Sequence, residues 1–262
     1  MCKECGCGLG GGDVKIGGHS HEHGHDHGHD HAHEHDHHHD HGHSHGGKTL
    51  SLNLSLMEKN NRLAERNRGF FRAKKLLVLN VVSSPGSGKT TFIRETAAKL
   101  AGRLRLGVIV GDLATDNDAA RLRTAGIPVV QITTGTVCHL DADMVAKAAA
   151  QMDLDKLDVL VIENVGNLVC PADYDLGEDL RVVLLSVTEG EDKPLKYPPM
   201  FHSAHVAVVT KSDMAAAAGF NRELALQNLE RVSHHARIFE LSAKTGDGMK
   251  AWLDFLAEKR AA

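Results

Sequence analysis

The chain has 262 residues, 42% of them hydrophobic and 4% aromatic, with 30 Lys and Arg against 34 Asp and Glu for a net charge of −4. That length and apolar content allow one sizeable domain with a real core plus an appendage. The longest apolar runs, such as 76–82, are far short of a membrane span, and the small net charge argues against nucleic acid as a partner.

The chain opens on MCKECGCGLGGG, which lacks the apolar stretch of a secretory signal. Five cysteines in metal-like spacings fit a reducing cytoplasm better than a disulfide framework. Cys2, Cys5 and Cys7 place three thiolates within six residues, close enough to share one soft or borderline ion. The backbone amine supplies a fourth donor if Met1 is removed. Sulfur and nitrogen donors of this kind suit square-planar Ni²⁺, with tetrahedral Zn²⁺ as the competing ion.

A second metal-binding pattern follows. His19, His21, His23, His25, His27, His29, His31, His33, His35, His37, His38, His39, His41, His43 and His45 stand mostly at alternate positions among Asp and Glu. The imidazoles offer many overlapping sites for Cu²⁺, Ni²⁺ and Zn²⁺, and the acids concentrate cations around them. The tract reads as a metal reservoir. Residues 1–47 carry two lysines against eight acids, which is −6 of the −4 total and leaves +2 for the rest. With almost nothing to bury, this Cys/His-rich tail is predicted to be disordered without metal.

Residues 48–73 are predicted to form a helix, because Leu52, Leu56, Leu63 and Phe70 recur near a helical period with Glu and Arg between them. Residues 74–262 read as one α/β domain. Strand-length apolar runs fall at 76–82, 107–111, 128–132, 158–162, 181–187, 205–210 and 237–241, most of them separated by helix-length stretches. That alternation predicts a mostly parallel sheet with helices on both faces.

The first run ends in SSPGSGKTT before a helix-like FIRETAAKLAG, the strand, loop and helix order of a phosphate-binding loop. Pro85, Gly86, Ser87, Gly88, Lys89, Thr90 and Thr91 make the loop. Its glycines let backbone N–H groups curl around phosphate oxygens. Lys89 brings a positive charge to the β- and γ-phosphates, and Thr90 opens the helix and reaches Mg²⁺. Ser83 stands where GxxxxGK[ST] has its first glycine. The fold class expected is therefore a P-loop NTPase, a three-layer α/β sandwich preceded by the tail and a helix.

Further along, Asp112 ends VIVGD and Glu163 ends VLVIE, each an acid at a strand end that can hold Mg²⁺ directly or through water. For Asp112 the alternative is a carboxylate capping the next helix. Glu163 and Gly166 in ENVG resemble a DxxG element sensing the γ-phosphate. Asn167, not glutamine, follows Gly166, which predicts slow intrinsic hydrolysis with Lys89 and Asp112 as the catalytic pair. Thr210, Lys211 and Asp213 in TKSD resemble the guanine-reading NKxD element, with Thr for Asn. Asp213 would accept both guanine N–H groups, a pattern adenine cannot offer. Ser242, Ala243 and Lys244 stand where GTPases contact the guanine oxygen. GTP is thus preferred over ATP.

A third metal cluster lies inside this domain. Cys138 and His139 follow TTGTV, and Cys170 lies seven residues beyond Glu163 in the stretch that would sense the γ-phosphate. If the two cysteines share an ion, nucleotide state can move one of its ligands. Two thiols and one imidazole are few for a complete Ni²⁺ or Zn²⁺ sphere, which suggests weak binding or completion by a second subunit. His202, His205, His234 and His235 show no ligand pattern.

Taken together, CxxCGC, the His tract, NVVSSPGSGKTT, GDLATDNDAARL, TGTVCHLDADMV and IENVGNLVCPADYDLGE resemble the hydrogenase nickel-incorporation GTPases of the HypB family, over nearly the whole chain. The resemblance implies a GTPase of the class containing signal-recognition and MinD-like proteins. It also implies a GTP-promoted homodimer that delivers nickel to the large subunit of [NiFe]-hydrogenase with a small nickel- and zinc-binding partner, HypA. It carries high-affinity nickel onto Cys2, Cys5 and Cys7, and the internal site onto Cys138, His139 and Cys170. Two alternatives stand beside it. One is a nickel storage and detoxification protein, which the intact GKTT, TKSD and SAK elements disfavour. The other is a GTPase serving urease, which would carry Cys-Pro-His in place of adjacent Cys138-His139.

Overall fold

The structure is a computed structural model that describes residues 15–16 and 45–261, with side chains at 16 and 55–261. Cys2, Cys5, Cys7, the histidines from His19 to His43, and the predicted disorder of the tail lie outside the described residues.

The described residues form an eight-stranded sheet in the order β1-β4-β3-β5-β2-β6-β7-β8. The strands are β1 (Lys15–Ile16), β2 (Leu77–Val82), β3 (Leu106–Asp112), β4 (Val129–Thr133), β5 (Val159–Glu163), β6 (Leu180–Ser186), β7 (Val206–Thr210) and β8 (Arg237–Glu240). Seven run parallel, and β1 alone pairs antiparallel, to the edge of β4 through Lys15↔Thr133 and Ile16↔Ile132. The seven parallel strands fall on the seven apolar runs. A parallel strand covered on both faces reads as near-continuous hydrophobic sequence, and every residue of β2 is buried.

Helices α1 (His45–Ala73), α2 (Lys89–Leu100), α3 (Asn117–Thr124), α4 (Ala142–Ala149), α5 (Lys193–Lys196), α6 (Pro198–His202), α7 (Arg222–Ser233) and α8 (Met249–Ala261) cover the sheet. The two-residue period of β2 divides the core. Leu77, Leu79 and Val81 join Phe92, Ile93, Trp252 and Phe255 on the face of α2 and α8. Val78 joins Phe71, Ile109, Val145 and Leu160 on the face of α1 and α4. Trp252 is fully buried and donates Nε1–H to Thr96 Oγ1 at 3.1 Å, so its one polar atom is satisfied. Cutting it back to alanine would cost about 3–5 kcal/mol.

Strand β2 lies at the centre, with β5 and β6 on its two sides. Chain order reverses direction across the sheet there, so the loops leaving β2, β3, β5 and β7 open a crevice at the carboxyl end of the strands. Among the described residues, no helix is long and apolar enough to cross a membrane.

Candidate functional site

The loop between β2 and α2 carries its two glycines at positive φ, Gly86 at 76° and Gly88 at 96°, where a side chain would be strained. Gly88 precedes Lys89, the first residue of the 12-residue α2, so the free N–H groups and the positive end of that helix face the crevice. Lys89 Nζ donates to Ser83 Oγ at 3.1 Å, and Ser83 Oγ in turn donates to the Ser84 carbonyl at 2.8 Å. The serine that replaces the motif's first glycine is fully buried and receives the lysine. Burial pushes the Lys89 ammonium below its usual range, against the pull of Glu163. Pro85, Gly86 and Thr91 are exposed, whereas Ser87 and Thr90 are buried.

Thr90 Oγ1 donates to Glu163 Oε1 at 2.8 Å, so the loop threonine and the acid that ends β5 stand side by side. Glu163 Oε2 is buried with no hydrogen-bond partner. Burial raises the carboxyl from 4.5 to about 7, against the nearby Lys89 ammonium and the Thr90 hydroxyl. A buried carboxylate oxygen left open beside a threonine hydroxyl is a donor set that fits a hard divalent cation. Asp112 is placed differently. Its Oδ1 accepts Ala114 N–H at 3.0 Å, Thr115 N–H at 2.7 Å and the Thr115 hydroxyl at 3.0 Å, so one of its oxygens is committed to the turn after β3. Asp112 thus holds the turn and does not cap the next helix, which begins at Asn117 after its N-cap residue Asp116. Gly166 presses on the phosphate loop: a Cβ there would stand 3.1 Å from Pro85 Cα.

The loop after β7 leans on the same phosphate loop. Thr210 Oγ1 donates to the Ser87 carbonyl at 3.1 Å. Lys211, in the left-handed conformation at φ 58°, donates Nζ to the Gly86 carbonyl at 2.8 Å. Thr210 therefore makes a direct bridge to the loop. Asp213 Oδ1 accepts the Ser242 hydroxyl at 2.6 Å, which joins the TKSD and SAK segments. Ser242 is fully buried, while Asp213 and Lys244 are exposed. An exposed carboxylate aimed by a buried hydroxyl, with Ala243 and Lys244 alongside, is suited to a base that carries two adjacent N–H donors.

The cysteine cluster forms beside the ENVG segment. The ligand atoms of Cys138, His139 and Cys170 all lie within 4.8 Å of one another, with the two sulfurs 3.1 Å apart. His139 is buried and stacks on Tyr174 with ring centroids 3.9 Å apart, and its Nδ1 has no hydrogen-bond partner. Burial pushes its pKa down, which keeps the imidazole neutral, the form that binds metal. Two soft sulfurs and one imidazole suit Ni²⁺ or Zn²⁺.

Two connections were not visible in the sequence. Asn167 Nδ2 donates to the Cys138 carbonyl at 3.1 Å, so the residue after Gly166 holds the cysteine loop. A buried chain of polar groups runs nearby. Asn164 donates to Asn80 Oδ1 at 3.2 Å, and Asn80 donates to Glu178 Oε1 at 3.1 Å. Glu178 pairs with Arg181 at 2.9 Å, and Arg181 donates to the carbonyls of Ala172 at 2.9 Å and Tyr174 at 2.7 Å. The only hint in the sequence is polar residues inside strand-like runs, Asn80 above all.

Comparison with known proteins agrees with this geometry. The family described as CobW/HypB/UreG, nucleotide-binding domain, matches residues 77–240. The chain is 50% identical over 215 residues to the hydrogenase maturation factor HypB of Escherichia coli (strain K12), which covers 82% of this chain and 74% of that protein. It is 40% identical over 217 residues to the hydrogenase/urease maturation factor HypB of Helicobacter pylori, covering 81% of this chain and 89% of that one. The crystal structure of HypB from Helicobacter pylori in complex with nickel superposes with a TM-score of 0.74 at 41% identity, over 78% of this chain and 95% of that one.

Proposed function

This chain belongs to the CobW/HypB/UreG family of nucleotide-binding proteins, on its HypB branch, and on that premise we propose that it is a GTP-hydrolysing nickel metallochaperone. It would load Ni²⁺ on Cys138, His139 and Cys170 and release it in step with the nucleotide cycle. The recipient is the large subunit of [NiFe]-hydrogenase, and a HypA-like nickel and zinc protein assists. The observation that carries the reading is the adjacency of two sites. The ENVG segment touches the phosphate loop through Gly166 and the cysteine loop through Asn167, one residue later.

In this reading the residues divide the work. Backbone N–H groups from Gly86 to Thr90 and the start of α2 hold the phosphates, and Lys89 bridges the β- and γ-oxygens. Thr90 and Glu163 would hold Mg²⁺, which supplies positive charge against the phosphate oxygens when bound. Asp213, aimed by Ser242, reads guanine, and Thr210 and Lys211 fix that reader to the phosphate loop. Asn167 is occupied with Cys138, so no side chain at this position positions an attacking water. Hydrolysis is therefore slow and suits a timer. Release follows because Cys170 and the Asn167 anchor of Cys138 both belong to the segment that a γ-phosphate would draw toward the loop. The cluster's two sulfurs and one nitrogen leave room for a ligand from a GTP-promoted second copy. Cys2, Cys5, Cys7 and the His tract serve as supply.

The test uses the full chain with Cys2, Cys5 and Cys7 changed to serine. Sulfur-to-nickel absorption then reports on Cys138 and Cys170 alone, since imidazoles give no such band. Ni²⁺ is titrated with Mg²⁺ and either GDP or a non-hydrolysable GTP analogue. The reading expects an affinity that changes between the two nucleotides. A band that never forms, or one blind to nucleotide, refutes it.

A further inference from the structure

A second group of metal-binding side chains lies at the opposite end of the sheet from the phosphate loop. His202 ends α6 just before β7, and His234 and His235 follow α7 just before β8. The sequence separates them by more than thirty positions and gives no ligand spacing. The parallel pairing of β7 with β8 draws them together. The His235 ring stands 5.4 Å from that of His202 and 5.4 Å from that of His234, edge to face in both cases. All three side chains are exposed.

We propose that His202, His234 and His235 form a separate surface site for a borderline divalent transition metal such as Ni²⁺. Three observations carry this. The first is spacing. Nitrogen ligands stand about 2.0–2.1 Å from such an ion, which puts ring centres about 3.2 Å from it and two such rings at a tetrahedral angle about 5.2 Å apart. Both ring pairs here already have that separation. Among the described residues only the Cys138, His139 and Cys170 ligand atoms are gathered within 4.8 Å, so the three imidazole nitrogens do not converge without metal, and ligation requires the rings to turn toward one point. The second is tautomer. His202 Nδ1 stands 3.3 Å from the Val232 carbonyl, a partner that can only accept. With the proton on Nδ1 this contact becomes a hydrogen bond and Nε2 keeps its lone pair for an ion, the usual support of a metal-bound histidine. The third is the field. His234 is the C-terminal cap of the 12-residue α7, whose last carbonyls carry partial negative charge and favour a cation.

The neighbouring His205 is not a ligand of this site. Its Nδ1 accepts the Arg181 backbone N–H at 3.0 Å, so the ring carries its proton on Nε2 and offers no free lone pair. It is a built-in control.

The experiment is residue-resolved carbethoxylation of the full chain, read by mass spectrometry, with and without Ni²⁺ in excess of what the His tract takes up. Residue resolution keeps the tract from masking the result. Ligation should slow modification of His202 about tenfold, and of the His234–His235 pair likewise, while leaving His205 unchanged. In H235A, where an exposed side chain is removed, His202 should lose its protection although its own ring is intact. A chelate among the three predicts that loss; an isolated histidine does not. Unprotected His202 in the wild-type chain, or protection that survives H235A, overturns the proposal.

Discussion

Changing Glu163 to glutamine tests the cation site first without a cation and then with one. The substitution keeps an oxygen to accept the Thr90 hydroxyl, a bond of 2.8 Å in the wild-type chain, and removes the charge. Folding buries this carboxyl and raises it from 4.5 to about 7, with Lys89 opposing the rise and Asp118 and Asp112 adding to it. The native state therefore holds the proton more tightly than the unfolded chain does. Between those two values the native state binds more protons, so wild-type stability falls as pH climbs, and the loss is complete above about 7. A shift of that size corresponds to about 3 kcal/mol, or about 6–12 °C in Tm for a protein of this length. Thermal unfolding at pH 5 and pH 8, with EDTA and no nucleotide, measures it. E163Q should match the wild type at the acid end and exceed it by several degrees at the alkaline end. Adding Mg²⁺ and GDP should reverse the order at pH 8, because only the carboxylate gains from the ion. Parallel pH profiles for the two proteins would refute the argument.

Two further outcomes are specific. In D213N the amide presents a donor where guanine also presents donors. GTP affinity should drop by about a hundredfold, and the preference for GTP over inosine triphosphate, which lacks the 2-amino group, should vanish in competition binding. In G166A the new Cβ would meet Pro85 Cα and Cγ at 3.1 Å and Pro85 N at 3.2 Å. Most of that contact is backbone, so the phosphate loop must shift. Mg²⁺·GTP should bind about tenfold more weakly, while Ni²⁺ binding by the cysteine cluster without nucleotide is unchanged.

The seven parallel strands were legible because their burial on two faces demands unbroken apolar runs. The observed strands depart from those runs by no more than one residue at either end. The phosphate loop was legible because positive φ at Gly86 and Gly88 and the lysine that follows leave little choice of residue type. Strand β1 was not legible. Lys15 and Ile16 sit among glycines, and nothing in two residues announces pairing with the edge of β4. The turn role of Asp112 is not legible either, since an acid at a strand end reads as a helix cap or a cation ligand, and its bonds to Ala114 and Thr115 appear only in the folded turn. Asn167 was read as the absence of a glutamine. Its bond to Cys138 depends on a loop 29 residues away that sequence order does not bring near. A similar separation in sequence hid the grouping of His202 with His234 and His235.

The stretch from Glu163 to Arg181 shows what a nucleotide-driven change could move. Its two ends are fixed. Asn164 is tied into the buried Asn80, Glu178 and Arg181 network, all of them no more than 6% exposed. Removing one partner of the Glu178–Arg181 pair would leave a buried charge unmatched, at about 3–5 kcal/mol, so that part is scaffold. The middle is different. Gly166 and Asn167 are only half-buried, and Val169 is 46% exposed. Asn167 Nδ2 and Oδ1, bonded to the Cys138 carbonyl and the Val169 N–H, are side-chain bonds that can be exchanged for about 1 kcal/mol each. Motion that starts at Gly166 therefore reaches Cys138 directly through Asn167, whereas toward Cys170 it passes Leu168, which is 5% exposed and packed in the core. His139, buried and stacked on Tyr174, stays with the scaffold because Arg181 holds the Tyr174 carbonyl. On the proposed reading, the two sulfurs change their distance from a stationary imidazole, and that is sufficient to open a three-donor site.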